Sequence, residues 1–175
     1  IAEMLIGLGL LEISSYHLIK TDEVKKMKIK QPIELEESKT EYKILRPNLL
    51  IPALRILSEN KDNEYPQNIF EIGEVFKTDE KQETGIKEKT NLIIALTPSN
   101  FTEAKQHLDY LMNFLGIKYN LKEDPVYGLI EGRTGKIFIN EKEIGYLGEI
   151  HPATLHEWNL KMPITVIELN LSKLI

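Results

Sequence analysis

Cysteine is absent from this chain of 175 residues, which excludes disulfides, thiolate nucleophiles and cysteine-based zinc sites. That absence is compatible with a reducing compartment. No apolar run approaches the roughly 20 residues that a helix needs to cross a bilayer. The opening residues Ile1-Ala2-Glu3-Met4-Leu5-Ile6-Gly7-Leu8 carry no basic segment, so they do not read as a secretory signal. They also lack an initiator methionine, and the expectation is a fragment of a longer chain. Positive charge is in deficit, with 22 Lys+Arg against 27 Asp+Glu and a formal net charge of -5. The whole-domain field therefore does not attract nucleic acid. One Trp, seven Tyr and five Phe show no interleaving with basic residues, so no stacking platform for RNA is indicated.

What is present is the composition of a globular domain: 42% hydrophobic and 28% charged residues, and enough length for one substantial core. Apolar spacing predicts a short helix over residues 1–10, with Ile1, Met4, Leu5 and Leu8 on one side. A strand is expected over Leu11–Ile19, a turn of helix over Thr21–Met27 and a second strand over Lys28–Pro32. Asn48 is placed to cap a helix over Leu49–Ser58. Gln67–Lys77 and Asn91–Thr97 read as a hairpin with a solvated tip at Thr78–Lys89. Thr102–Leu115 is the clearest helix, with Ala104, Leu108, Leu111, Met112 and Leu115 as its apolar stripe and Gly116 at its C-terminal cap. A second hairpin pairs Lys136–Asn140 with Ile144–Ile150 through Glu141-Lys142-Glu143. A helix over Ala153–Leu160 and a strand over Ile164–Leu171 close the chain. Hairpin-linked strands with interspersed helices predict an α+β fold, a mainly antiparallel sheet with helices on one side.

Few residues suggest chemistry. Gly128 to Lys136 fails as a phosphate loop, because Ile130 stands where glycine is required and Ile137 where a hydroxyl residue is required. Arg133 and Lys136 read instead as solvent-facing or interface cations at a turn. Glu149 and His151 are the acid/base candidates, and an acid/base or metal-assisted enzyme would need them to converge in a cleft with a third polar group. The competing reading has His151 closing a strand-to-helix corner by bonding the backbone. Glu71 and Glu74 flank Gly73 on opposite sides of a strand, so they do not form a carboxylate pair. One of them is placed to be buried against Arg46 or Arg55. His17 and His107 are isolated.

Three blocks follow one another in a telling order. They are Leu45-Arg46-Pro47-Asn48-Leu49-Leu50-Ile51-Pro52-Ala53-Leu54, Phe70-Glu71-Ile72-Gly73-Glu74-Val75-Phe76, and Gly145-Tyr146-Leu147-Gly148-Glu149-Ile150-His151-Pro152. The last is preceded by Gly132-Arg133-Thr134-Gly135-Lys136. Together they resemble the C-terminal, synthetase-like module of the phenylalanyl-tRNA synthetase beta subunit, with Glu71, Gly73, Gly148, Glu149, His151 and Pro152 as structural signature. The resemblance covers nearly the whole chain and implies a class II aminoacyl-tRNA synthetase-like fold, an antiparallel sheet flanked by helices. It implies one non-catalytic module over residues 1–175, working in the cytoplasm in a heterotetramer with the alpha subunit and a second beta subunit. Phenylalanine is then attached to tRNA in the alpha subunit, so ATP and Mg belong to the holoenzyme and no cofactor to this chain. Residues Ile1–Ile19 stand where the first class-defining motif builds subunit interfaces, which marks Ile1, Met4, Leu5, Leu8 and Leu11 as the partner surface. Gln31-Pro32 stands where the family has Asn-Pro. The second and third motifs of working class II synthetases supply arginines to ATP, whereas Phe70–Phe76, the loop from Lys77 and Ala153–Leu160 contain none. A stand-alone small-molecule-binding regulator on the same fold is the alternative.

Overall fold

A computed structural model describes residues 1–36 and 38–174. Its centre is a seven-stranded sheet in the order β1-β5-β6-β10-β9-β8-β7. The strands are β1 (Leu11–Glu12), β5 (Ile69–Thr78), β6 (Ile86–Leu96), β7 (Asn120–Glu123), β8 (Leu129–Ile139), β9 (Lys142–Ile150) and β10 (Thr165–Asn170). All neighbours are antiparallel except β1, which pairs with β5 in parallel. A second sheet, β2-β4-β3, is built from β2 (Leu18–Lys20), β3 (Ile33–Glu34) and β4 (Tyr42–Leu45). Among the described residues, five α-helices complete the fold: α1 (Ala2–Gly7), α2 (Thr21–Lys26), α3 (Leu50–Glu59), α4 (Phe101–Phe114) and α5 (Pro152–Glu157).

Alternation along the strands divides the core in two. Phe70, Leu92, Ile94, Leu147, Ile167 and Leu169 point to one face and bury Leu5 of α1 and Ala104, Leu108, Leu111 and Met112 of α4. Ile69, Val75, Ile93, Ala95 and Val166 point the other way, against α3 and the small sheet. Helices therefore cover both faces, not the single side the element order predicts. The strands are apolar on both faces, and such strands need cover on both.

α4 forms as expected. Asn100 Oδ1 accepts from the Glu103 N–H at 3.0 Å, and Gly116 follows the helix with φ +67, a conformation glycine adopts without cost. Asn48, expected to cap α3, lies one residue before its N-cap Leu49 but still bonds the first turn, its Oδ1 accepting from the Ile51 N–H at 3.1 Å.

Other expectations need correction. Leu11–Ile19 is not one strand. β1 ends at Glu12, and the chain then leaves the large sheet to enter the small one at Leu18. Between them Ser15 gives its N–H and hydroxyl to Glu71, so side-chain bonding replaces a ladder. Lys28–Pro32 is not a strand either, since Lys28 has φ 48 and β3 begins only after Pro32. The expected turn around Arg133 lies inside β8, with its register shift between Leu129 and Thr134. The β8–β9 connection is tighter than three residues: Asn140 and Glu141, both at positive φ, make the two-residue turn that matches strand twist.

Candidate functional site on the polar face of the sheet

The face turned towards α3 carries the buried charge. Arg46 and Glu71 are 1% and 3% exposed and meet at 2.7 Å. The guanidinium also donates from Nε to the Glu74 carbonyl at 2.8 Å and from Nη1 to Ser15 Oγ at 2.7 Å. Gly73 makes this possible, because a Cβ there would lie 2.4 Å from Arg46 Nη2. The Glu-x-Gly-Glu pattern of β5 thus places one acid inward, leaves room for its cation, and sends Glu74 outward to within 3.6 Å of His17.

Further along the face, Glu168 of β10 is also buried, at 3% exposure. Its Oε1 accepts from the Leu49 N–H at 2.9 Å and from Asn91 Nδ2 at 2.7 Å. Its Oε2 accepts from the Tyr146 hydroxyl at 2.7 Å. A carboxylate beside the first turn of α3 satisfies a free helix N–H and complements the helix dipole. Burial foremost, and then the Glu168 charge, push the Tyr146 phenol well above its ordinary range, so Tyr146 stays a donor. Glu168, Tyr146 and Asn91 line a cavity of about 610 Å³ whose rim includes Lys77, Lys89 and Lys173. Glu168 and Tyr146 escape the motif reading. The available signal is an acid inside the apolar run Ile164-Thr165-Val166-Ile167-Glu168-Leu169, since an unpaired acid is almost never found in such a setting.

A second buried pair, Arg55–Glu23 at 3.0 Å, ties α3 to α2. Desolvation raises the Glu23 carboxyl above its ordinary value despite the opposing Lys20 N–H and Arg55 charge. Of the two candidate arginines, Arg55 thus pairs with Glu23 and Arg46 with Glu71.

Glu149 and His151 do not converge on a cleft. Glu149 lies on the opposite face of the sheet, where Oε1 accepts the Phe101 N–H at 2.9 Å and Oε2 accepts from Arg133 at 2.8 Å. It stabilises the start of α4 as a carboxylate should. His151 is the N-cap of α5, its Nδ1 accepting from the Ala153 N–H at 3.1 Å, with Pro152 in the first turn. The corner role matches the sequence reading, but His151 is exposed, so its hydrogen bond is not a buried one. Gly148 lets β8 approach, as a Cβ would stand 2.6 Å from Thr134 Oγ1. Among the described residues, no three His, Cys, Asp or Glu gather as a metal-binding group, and no helix is long and apolar enough to cross a membrane.

The residues marked as a partner surface divide. Leu5 is fully buried in this chain's own core, and Ile1, Met4 and Leu8 pack half-buried on the same cluster. Only Leu11, at 67% exposure, is open, and Ile6, at 53%, joins it. α1 turns its apolar stripe inward because it packs into the same core cluster as Phe70 and Leu92.

Comparison with known proteins accounts for this architecture. The chain is 38% identical over 180 residues to the phenylalanine–tRNA ligase beta subunits of Pyrococcus abyssi and Pyrococcus furiosus, covering 99% of this chain and 32% of each relative. It thus spans about a third of the length of these curated relatives. A pyrrolysyl-tRNA synthetase from Desulfitobacterium hafniense shares the fold with a TM-score of 0.80 at 19% identity, over 99% of this chain and 64% of that one. The family model described as the phenylalanyl tRNA synthetase beta chain CLM domain matches residues 1–171, and the chain belongs to that family.

Proposed function

We propose that this chain is a catalytically silent assembly module of a phenylalanine–tRNA ligase beta subunit, and that the alpha subunit activates phenylalanine and transfers it to tRNA. One observation carries the reading. The sequence has three arginines, and each is closed in an ion pair: Arg46 with Glu71, Arg55 with Glu23 and Arg133 with Glu149. Neutralising a nucleoside triphosphate requires fixed cations aimed at its phosphates, and no arginine lines the cavity on the polar face. The lysines that line it, among them Lys77, Lys89 and Lys173, are flexible point charges without that fixed geometry. The interior charge of this module holds its own elements together instead. The relatives' name, phenylalanine–tRNA ligase beta subunit, supports a complex with an alpha subunit that acts on tRNA. A cytoplasmic heterotetramer with a second beta subunit, to which ATP and Mg come as ligands of the whole, belongs to the same proposal.

The direct test is amino-acid-dependent ATP–pyrophosphate exchange by the purified 175-residue chain. No exchange above background is expected with phenylalanine or any other amino acid. Sustained turnover by the chain alone would overturn the silent-module reading.

A further inference from the structure

One end of the polar face collects like charges that an assembly role does not require. Lys77 and Lys87 are direct partners in the β5–β6 ladder, an arrangement that costs stability. Lys89, two residues along β6, projects on the same side. Desolvation, followed by the charges of Lys77, Lys173 and Lys87, holds the Lys89 ammonium below its ordinary value, so the four lysines share one small region. Acidic compensation is thin. Asp79 stands 3.9 Å from Lys87 and Glu143 is engaged by Lys136 at 3.3 Å, while Lys173 donates to the Glu143 carbonyl. In a chain of net charge -5 this concentration does not follow from a general excess of lysine.

The cluster opens on a concave site. Lys77, Lys89 and Lys173 line the cavity of about 610 Å³, a size suited to a small molecule. Asn91 and Asn170, cross-strand partners on its floor, each hold an Oδ1 that is buried and has no hydrogen-bond partner. Buried acceptors are ordinarily paired, so the floor is short of donors and the rim is short of anions.

We propose that this end of the cavity binds a phosphate-bearing small molecule, with the phosphate held by Lys77, Lys89 and Lys173. Lysine ammoniums serve phosphate as mobile point charges, and the carboxylate of Glu168 keeps the anionic end at the rim. The proposal does not depend on the assembly role.

The test is acetylation footprinting of the assembled alpha–beta complex, read lysine by lysine by mass spectrometry, with inorganic phosphate and ribose 5-phosphate as probes against sodium chloride of equal ionic strength. Lys77, Lys89 and Lys173 should be acetylated roughly tenfold more slowly as either probe approaches saturation, with Lys25 and Lys118 unchanged. Equal protection by both probes assigns the site to the phosphate group alone, and stronger protection by the sugar phosphate assigns part of the binding to the rest of the cavity. Lys173→Gln, an exposed change that leaves the fold intact, should abolish the protection of Lys77 and Lys89. Protection that sodium chloride reproduces, or that persists in Lys173→Gln, overturns the proposal. So does protection by tRNA where neither small phosphate acts, since the patch would then belong to a nucleic acid.

Discussion

At the scale of single residues, the buried ion pairs are where sequence and energetics meet most sharply. Arg46 is 1% exposed and depends on Glu71 for its charge partner. Removing one member of such a pair strands the other charge without water. Glu71→Leu should therefore lower stability by about 3–5 kcal/mol. Combining it with Arg46→Met should restore much of that loss, because an apolar pair avoids both desolvation penalties. Urea titration of the three variants checks this, and a loss under about 1 kcal/mol for Glu71→Leu would mean the pair behaves like a surface one. Glu23 provides a pH test. Its carboxyl is raised in the folded chain, so between the unfolded and folded values the native state holds more protons than the unfolded state. Its contribution to stability falls as pH rises through that interval and is level above it. Relative to wild type, Glu23→Gln should gain stability from acid pH towards neutrality, and a difference independent of pH would contradict the raised carboxyl. The Arg46–Glu71 pairing was within reach of the sequence because Gly73 beside two acids implies an inward acid. The Glu168 cluster was not, because its partners Leu49 and Asn91 lie 119 and 77 positions away.

Elements were legible where a periodic apolar face coincided with a chemical stop signal, as in α4 between Asn100 and Gly116. They were misread where tertiary bonds decide conformation. The break after Glu12 depends on Ser15 meeting Glu71, 56 residues on, and no local propensity encodes it. β3, of two residues, and β4, of four, are too short for alternation to reveal them. At the β9–α5 corner, motif and geometry agree on a capping role. Because the His151 bond to Ala153 is exposed, His151→Ala should cost about 1 kcal/mol, the usual worth of an N-cap, and His151→Asn should keep most of the stability. Thermal unfolding of both variants measures the difference. An Asn variant no better than Ala would remove the cap from the account.

On the scale of the whole molecule, the class of fold followed from the order of hairpins and helices. The covering of both sheet faces did not, because it depends on which helix folds back over which side. That distinction changes how the partner surface has to be tested. Leu5 faces Phe70 and Leu92 in one core cluster, so Leu5→Asp would bury an unpaired charge and unfold the module whether or not α1 touches a partner. A loss of assembly in that variant would carry no information. Leu11 and Ile6 are the exposed apolar residues at this edge of the sheet. Leu11 borders a groove of about 450 Å³ with Ile13, Ile56 and Pro66. A stable interface buries about 800 Å² on each partner around an apolar centre, and these positions can supply such a centre without disturbing the core. Ile6→Asp combined with Leu11→Asp in a full-length beta subunit should leave the circular dichroism and melting of the subunit close to wild type. The same variant should weaken co-purification with the alpha subunit by about tenfold or more, the effect of roughly 1.4 kcal/mol. Unchanged assembly by the folded double variant would move the contact away from the α1–β1 edge and leave the inward packing of α1 as its whole function.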